Sequence, residues 1–443
     1  MKKIAIIGSG ISGLTCAHYL KDRYDLTIFE AADYPGGHTN TIQVKESTQC
    51  LQIDTGFIVF NDKTYPNFIA LMKALGVERQ KTDMSFSVRC EKTGLEYNGT
   101  TINSLFAQRL NLLRPSFYRM ISGIMKFNQR AKDFLMDPDP EMTFDHFIKK
   151  SRLNREVVDH YLIPMTAAIW SADPKATLEF PALFLLQFWQ NHGFLEINDR
   201  PQWYVIKGGS RTYVDKLLSP IESRLKLKTP ITKVQRQRDE VIIHHGGEQD
   251  IFDGVIFAVH SNQALSLLDN PTTEERTLLN AIPFQKNTAY LHTDETILPR
   301  KKLAWAAWNY HLTRNESHRA TVTYNMNILQ NLPTKQVYNV TLNPHTQIPP
   351  DHTIGVYHYE HPVFTKAGVE QQHASKNFMG QHNTWFCGAW MRNGFHEDGV
   401  VSALNVCQSI GEASWARSQP FMKDGSSTLG TSPSRPSSAT GSL

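Results

Sequence analysis

Cysteine is scarce and scattered. The five residues Cys16, Cys50, Cys90, Cys387 and Cys407 are odd in number and have no C-x-x-C spacing, which argues against a disulfide framework or a zinc site. A long apolar run is also lacking: the longest aromatic-aliphatic stretch, Phe180 to Trp189, is about half of the roughly 20 residues that a membrane-spanning helix needs. Charge of one sign is not in excess, since 46 basic residues face 42 acidic ones, and no broad field calls for nucleic acid. The first strand is expected to start at Lys2 or Lys3, and with it no signal peptide is expected. These absences lead to an expectation of a protein in a reducing, cytoplasmic setting. At 443 residues the chain can bury a large core split over two or three domains.

What is present begins at the amino end. Ile4 to Ile7 is a short apolar run of strand type, and Gly8, Gly10 and Gly13 follow at G-x-G-x-x-G spacing where a helix must start. Gly8 suits the tight turn out of the strand, and Gly10 lets a pyrophosphate approach backbone amides at the positive helix end, next to Ile11 and Ser12. Gly13 lets that helix lie close to the sheet. Asp25 to Glu30 reads as a second strand ending in an acid, where a carboxylate can take the hydroxyls of an adenosine ribose. Strand, glycines, helix, strand and acid in that order predict a dinucleotide site.

A paired glycine, Gly36-Gly37, and a D-x-G segment at Asp54 to Gly56 come next. With the features before them, they resemble the FAD-binding amine oxidase and phytoene desaturase superfamily. The resemblance implies FAD as cofactor and a discontinuous Rossmann-like domain of glutathione reductase type. A second, α+β substrate domain with an antiparallel sheet is implied beside it. It also implies cofactor contacts at Gly8, Gly10, Ile11, Ser12, Gly13, Glu30, Ala31, Gly36, Gly37, His38, Thr55, Gly56 and Phe57. The superfamily usually has arginine where this chain has His38, so a fixed charge becomes a titratable one.

From Tyr65 to about Tyr204 helical patterns are expected to take over. Within them, Arg109, Arg114, Arg119, Lys126, Arg130 and Lys132 lie among large apolar residues, either as a basic surface for anionic lipid or as ordinary solvated helices. Phe180 to Trp189 is either a tunnel wall or plain core. At Val205 to Leu218 a paired glycine precedes an amphipathic helix, and Val234 holds the place where the resemblance implies a valine backbone against adenine. Strands are expected across 281–379, with Trp305, Trp308 and Tyr310 as substrate-wall candidates. The closing stretch from Trp385 through Gly388 to Asp398, Gly399 and Val400 resembles the superfamily's last cofactor motif. Where an acid commonly follows the strand glycine this chain has Ala389 and Trp390, which leaves Glu397 or Asp398 as substitutes. The division expected is 1–64, 205–268 and 380–417 for FAD, 65–204 and 269–379 for substrate, and a disordered tail at 418–443.

Catalytic groups are sought near that closing motif. His396 is the first candidate, to bind substrate or move a proton, against a structural role in the loop. Lys286 stands near where amine oxidases carry a lysine beside the flavin, against a plain surface lysine; His38, His192 and His292 are weaker, and no metal site is expected. DTGFIVFNDKTYPN, YLIPMTAAIWS, LHTD, AWNY and FHEDG together are similar to a branch of FAD-dependent oxidoreductases associated with cyclopropane fatty acid synthases, and in plants fused to them. That similarity implies a fatty acyl or lipid substrate and association with a synthase of that kind; contact with a membrane surface is the expectation that the basic helices raise. Two alternatives stay open, a strict amine oxidase and an FAD-binding accessory protein of a lipid-modifying enzyme.

Overall fold

The computed structural model describes residues 1–196, 200–314, 319–375 and 379–410. The tail at 418–443 lies outside them. At the centre is a five-stranded sheet in the order Leu225–Lys226, Asp25–Phe29, Lys3–Ile7, Gly254–Phe257, Thr384–Phe386, every pair parallel. Its strands come from distant parts of the chain, so the Rossmann-like region is discontinuous.

The first strand shows why it sits centrally. Ile4 and Ile6 pack into one apolar cluster with Leu14, Ala17 and Leu404, while Ala5 and Ile7 pack into another with Val234, Val255 and Phe257. Both faces are covered, which is the state that near-continuous apolar runs specify. On one face lie the helices Ile11–Leu20, Arg211–Leu218 and His396–Ser409. On the other lies an antiparallel three-stranded sheet, Ile231–Arg236, Val241–His245 and Glu248–Phe252.

The second region is built on a seven-stranded mixed sheet in the order Thr353–Pro362, Phe284–His292, Asn339–Leu342, Val322–Asn325, Trp308–Leu312, Phe86–Cys90, Leu95–Asn98. Its pairs are antiparallel except Trp308–Leu312 with Phe86–Cys90. The expectation of helices throughout 65–204 therefore needs correcting, since Arg79–Thr82, Phe86–Cys90 and Leu95–Asn98 are strands. Each has only four or five residues, too few to show a period against the helices around it. Those helices include Pro115–Met136, Ile163–Trp170 and Ala182–Asn191. Phe117 and Met120 of the first pack on Ala167 and Ala168 of the second, over Val88, Tyr97 and Val322 of the sheet. In the third, Leu185, Leu186 and Trp189 are core, and Phe188 reaches a cavity. All five cysteines are free.

Candidate active site

A cavity of about 1140 Å³ runs from the glycine loop at the carboxyl end of the parallel strands into the second region. That is where a doubly wound sheet receives a ligand. The glycines at its edge divide the work. A Cβ on Gly13 would stand 2.0 Å from Gly8 O, so this glycine is what lets the helix Ile11–Leu20 approach the first strand. A Cβ on Gly10, by contrast, would meet nothing within 4 Å, although Gly10 lines the cavity. The space reserved there is on the ligand side. The start of helix His396–Ser409 is packed against the same place: Ser12 Oγ donates to Gly399 O at 3.0 Å, and a Cβ on Gly399 would stand 2.8 Å from Ile11 Cγ2. Two helix amino ends thus converge, each leaving its first amides unpaired by helix geometry. Glu30 lines the cavity at the second strand's end, its carboxylate accepting from Ser9 N (3.0 Å), Ser9 Oγ (2.5 Å) and Ala32 N (2.9 Å). A cradle with room at Gly10, amides around it and an acid at that distance along the sheet fits the ADP half of FAD.

Further along the wall come Gly36, Gly37, His38, Gly56 and Phe57. A Cβ on Gly56 would lie 2.1 Å from His38 O, so the D-x-G segment and the glycine pair are locked by close backbone approach. Asp54 itself turns away. It is fully buried and accepts from Thr41 Oγ1 (2.5 Å), Ser210 N (2.9 Å), Ser210 Oγ (2.7 Å) and Gln330 Nε2 (3.1 Å), joining three distant segments. Burial raises its carboxyl to about 6, opposed by the Thr41 and Ser210 hydrogen bonds.

His396 stands at the cavity wall, its ring stacked on Phe57 at 3.5 Å between centroids and 9° between planes. Its Nε2 is 2.9 Å from Tyr213 OH and 3.1 Å from Thr39 Oγ1, and those two hydroxyls also bond to each other. Nδ1 makes no hydrogen bond among the described residues. Burial, and secondarily His38, holds the ring well below the ordinary histidine pKa, so it is neutral. Nearby, His38 Nε2 is 3.1 Å from Glu360 O, and His260 Nδ1 is 3.4 Å from Glu360 Oε2. Asn287 Nδ2 is 2.8 Å from His361 Nδ1. Burial first and the neighbouring histidines second push His260 and His361 to about 3. The wall is therefore a cluster of uncharged imidazoles, and His38 is lowered too. Lys286 also lines the cavity, exposed and opposite Glu360 in the strand register.

Beyond this cluster the cavity is aromatic. Trp170, Phe188, Trp203, Trp308, Tyr324 and Phe395 line it, with Phe188 4.8 Å from Trp170 and 4.9 Å from Phe395 between ring centroids. His192 joins them, stacked on Phe188 at 3.8 Å. Of the wall candidates only Trp308 is at the cavity; Trp305 donates to Pro299 O and Tyr310 is core. His292 is core as well, 2.7 Å from Thr341 Oγ1.

Several residues expected at the cofactor do not line the cavity. Thr55 is buried, bonded to Asn40 O and Tyr359 OH, and Val234 packs in the core while Ile231 of the same strand lines the cavity. Gly13, Asp398, Gly399 and Val400 are likewise behind the wall. Neither acid offered as a ribityl partner reaches it. Glu397 accepts from Asn67 N (3.0 Å), Asn67 Nδ2 (2.7 Å) and Phe68 N (2.8 Å), capping the helix Pro66–Ala74. Asp398 accepts from Phe395 N at 2.9 Å and faces Arg392 at 3.5 Å, capping its own helix. Burial raises both, Asp398 to about 7. Conversely, His260, Glu360 and His361 were not foreseen. His260 had a readable signal, because it follows the fourth strand of the parallel sheet at the ligand-binding edge.

The parallel sheet, its glycine cradle and the joined aromatic cavity define the class of two-region dinucleotide-dependent oxidoreductases. A profile described as flavin containing amine oxidoreductase matches residues 11–410, and the chain belongs to that family of FAD-dependent oxidoreductases. Its fold is similar to a CLA-producing fatty acid isomerase from P. acnes, with TM-score 0.66 and 16% identity over 92% of this chain and 98% of that one. It is equally similar to cyclohexylamine oxidase from Brevibacterium oxydans IH-35A, with TM-score 0.66 and 15% identity over 93% and 99%. In sequence it is 24% identical over 220 residues to protoporphyrinogen oxidase 2, chloroplastic/mitochondrial, of Arabidopsis thaliana, covering 47% of this chain and 40% of that protein. The matches span under half the length of the curated relatives.

Proposed function

We propose that the chain takes a hydride from a small organic substrate with an apolar body, an amine in the first instance. The observation that carries this is the continuity of one cavity from the nucleotide cradle, past His396 and Phe57, to the aromatic wall. Gly8, Gly10, Ile11, Ser12, Glu30 and Ala31 would hold the ADP half of FAD, with Ile231 near its adenine end; Gly36, Gly37, His38, Gly56, Phe57 and Gly388 would hold the rest. When bound, FAD supplies the hydride acceptor. Residues 1–64, 205–268 and 380–410 form the cofactor part under this proposal, and 65–204 with 269–379 the substrate part.

The chain's own residues bind, orient and exclude water. The aromatic wall desolvates the apolar body, and the neutral imidazoles allow an amine to enter uncharged. His396 offers Nδ1, to hold a proton or to orient the reacting group, while the Tyr213 and Thr39 hydroxyls fix its ring. Incubation with mixed amines and acyl lipids, followed by mass spectrometry of products, tests the assignment. Oxidised amines are expected; products confined to acyl chains would overturn the amine reading.

A fatty acyl substrate is the second reading, favoured by the largely aromatic far wall and by Lys286 and Arg319 at the cavity, which suit a carboxylate. Association with a cyclopropane fatty acid synthase-like enzyme belongs to this reading, and copurification checks it. Contact with an anionic membrane surface does too. Ile102, Leu110, Leu112, Leu113, Tyr118 and Met125 are exposed, and no acid interrupts the chain between Glu96 and Asp133. Flotation with phosphatidylglycerol vesicles should carry the protein at low salt and lose it in Leu113→Asp; absence of flotation removes the membrane contact. Among the described residues no helix is long and apolar enough to cross a membrane.

A further inference from the structure

Away from the cavity, one corner of the seven-stranded sheet collects two imidazoles and a carboxylate. Glu91 follows the strand Phe86–Cys90, and its amide donates to Leu312 O at 2.9 Å, which seats it beside His311 of the strand Trp308–Leu312. His345 arrives from the loop after Asn339–Leu342. His311 Nε2 is 3.0 Å from Glu91 Oε1, and His345 Nε2 is 3.8 Å from the same oxygen. The two rings stand 4.4 Å apart at 87°, and one ligand atom from each residue lies within 4.8 Å of the others. Atoms bound to one tetrahedral ion at about 2.0–2.1 Å are ~3.3 Å apart. Closing around an ion therefore requires shifts of about an ångström, available to His345 because it lies in a loop.

The surroundings hold the set in place without using it up. Glu91 Oε2 accepts from Arg314 N at 3.2 Å, which leaves Oε1 directed at the histidines. Arg89 stands two residues before Glu91, but its Nη1 donates to Thr296 O (2.8 Å) and Leu298 O (2.9 Å). None of the three residues lines the cavity. Two imidazoles and one carboxylate suit borderline divalent ions, whereas calcium and magnesium prefer all-oxygen sets.

We propose that Glu91, His311 and His345 bind one divalent transition-metal ion of Zn²⁺ type, with water completing its coordination, as a clip across three strand ends. The site differs from the cofactor cavity and is structural in kind. The plain alternative is a His311–Glu91 hydrogen bond with His345 nearby by chance.

Calorimetric titration of the chelator-stripped, FAD-loaded full chain with ZnCl₂ separates the two, with Co²⁺ absorption as a second probe. One ion per chain and a higher Tm with Zn²⁺ are expected. His345→Ala should weaken binding at least about tenfold, since even outer-shell partners cost that much, and Glu91→Gln should do likewise. His146→Ala, an exposed histidine elsewhere, should leave binding unchanged. No binding, or equal binding by His345→Ala and the parent chain, overturns the site. If Glu91→Gln does not fold, His345→Ala in its loop still decides.

Discussion

Gly10 and Gly13 stand three residues apart and are glycine for opposite reasons. At Gly13 the added methyl would collide with the backbone of Gly8, so Gly13→Ala should cost about 3 kcal/mol or more and yield little folded protein. At Gly10 the space is empty of protein atoms and the backbone is extended, so Gly10→Ala should melt within about 0.5 kcal/mol of the parent as apoprotein. It should still bind FAD at least tenfold more weakly, read by flavin fluorescence. Equal FAD affinity would show that the cradle faces something else. His396 makes a third residue-scale case. His396→Ala should retain FAD yet slow its reduction by substrate. Because burial keeps the ring neutral, that deficit should be the same at pH 6 and pH 9; a deficit that appears only on one side of a pKa contradicts it.

At the scale of elements, carboxylates do the joining. Asp54 holds a strand, the loop at Gly209 and the helix Met326–Gln330 together through at least four hydrogen bonds. Asp54→Ala should destabilise by about 3 kcal/mol, since it strands buried donors. Glu397→Ala should cost about 2 kcal/mol by uncapping Pro66–Ala74; thermal melts check both. These two residues also show where the sequence stopped being legible. The glycine loop could be read because its meaning is local, a backbone geometry within one βαβ unit. Asp54 and Glu397 sit in motifs that point to the flavin, but their partners lie 156 and 330 residues away, and spacing cannot tell a ligand-facing carboxylate from a capping one. The same limit hid the short strand at 86–90, which pairs with Trp308–Leu312 from a distant part of the chain, Phe86 opposite Trp308.

At the scale of the whole molecule, buried neutral histidines set the response to acid. His260 and His361 are pushed to about 3, His192 and His292 to about 4, and His38 and His396 are lowered as well. In the unfolded chain each titrates near 6.5. Their stabilising contribution is therefore full above about pH 6.5 and is lost as pH falls toward 4 and below. Asp54, Asp398 and Glu397 act in the opposite sense, since their raised carboxyls favour the protonated fold, but they are outnumbered. Tm should fall steadily from pH 6.5 to 4.5, and His361→Asn should flatten that slope. A Tm level across the range would contradict the neutral cluster.

The central claim joins a flavin cradle to an apolar substrate chamber, and anaerobic titration of the purified yellow protein tests it most directly. With apolar amines and fatty acids added in turn and the flavin absorbance followed, at least one apolar amine should bleach the flavin, and His396→Ala should slow the bleaching without releasing FAD. A flavin that dithionite reduces normally, yet no amine or acyl substrate bleaches, would contradict the enzyme and leave an FAD-binding accessory protein in its place.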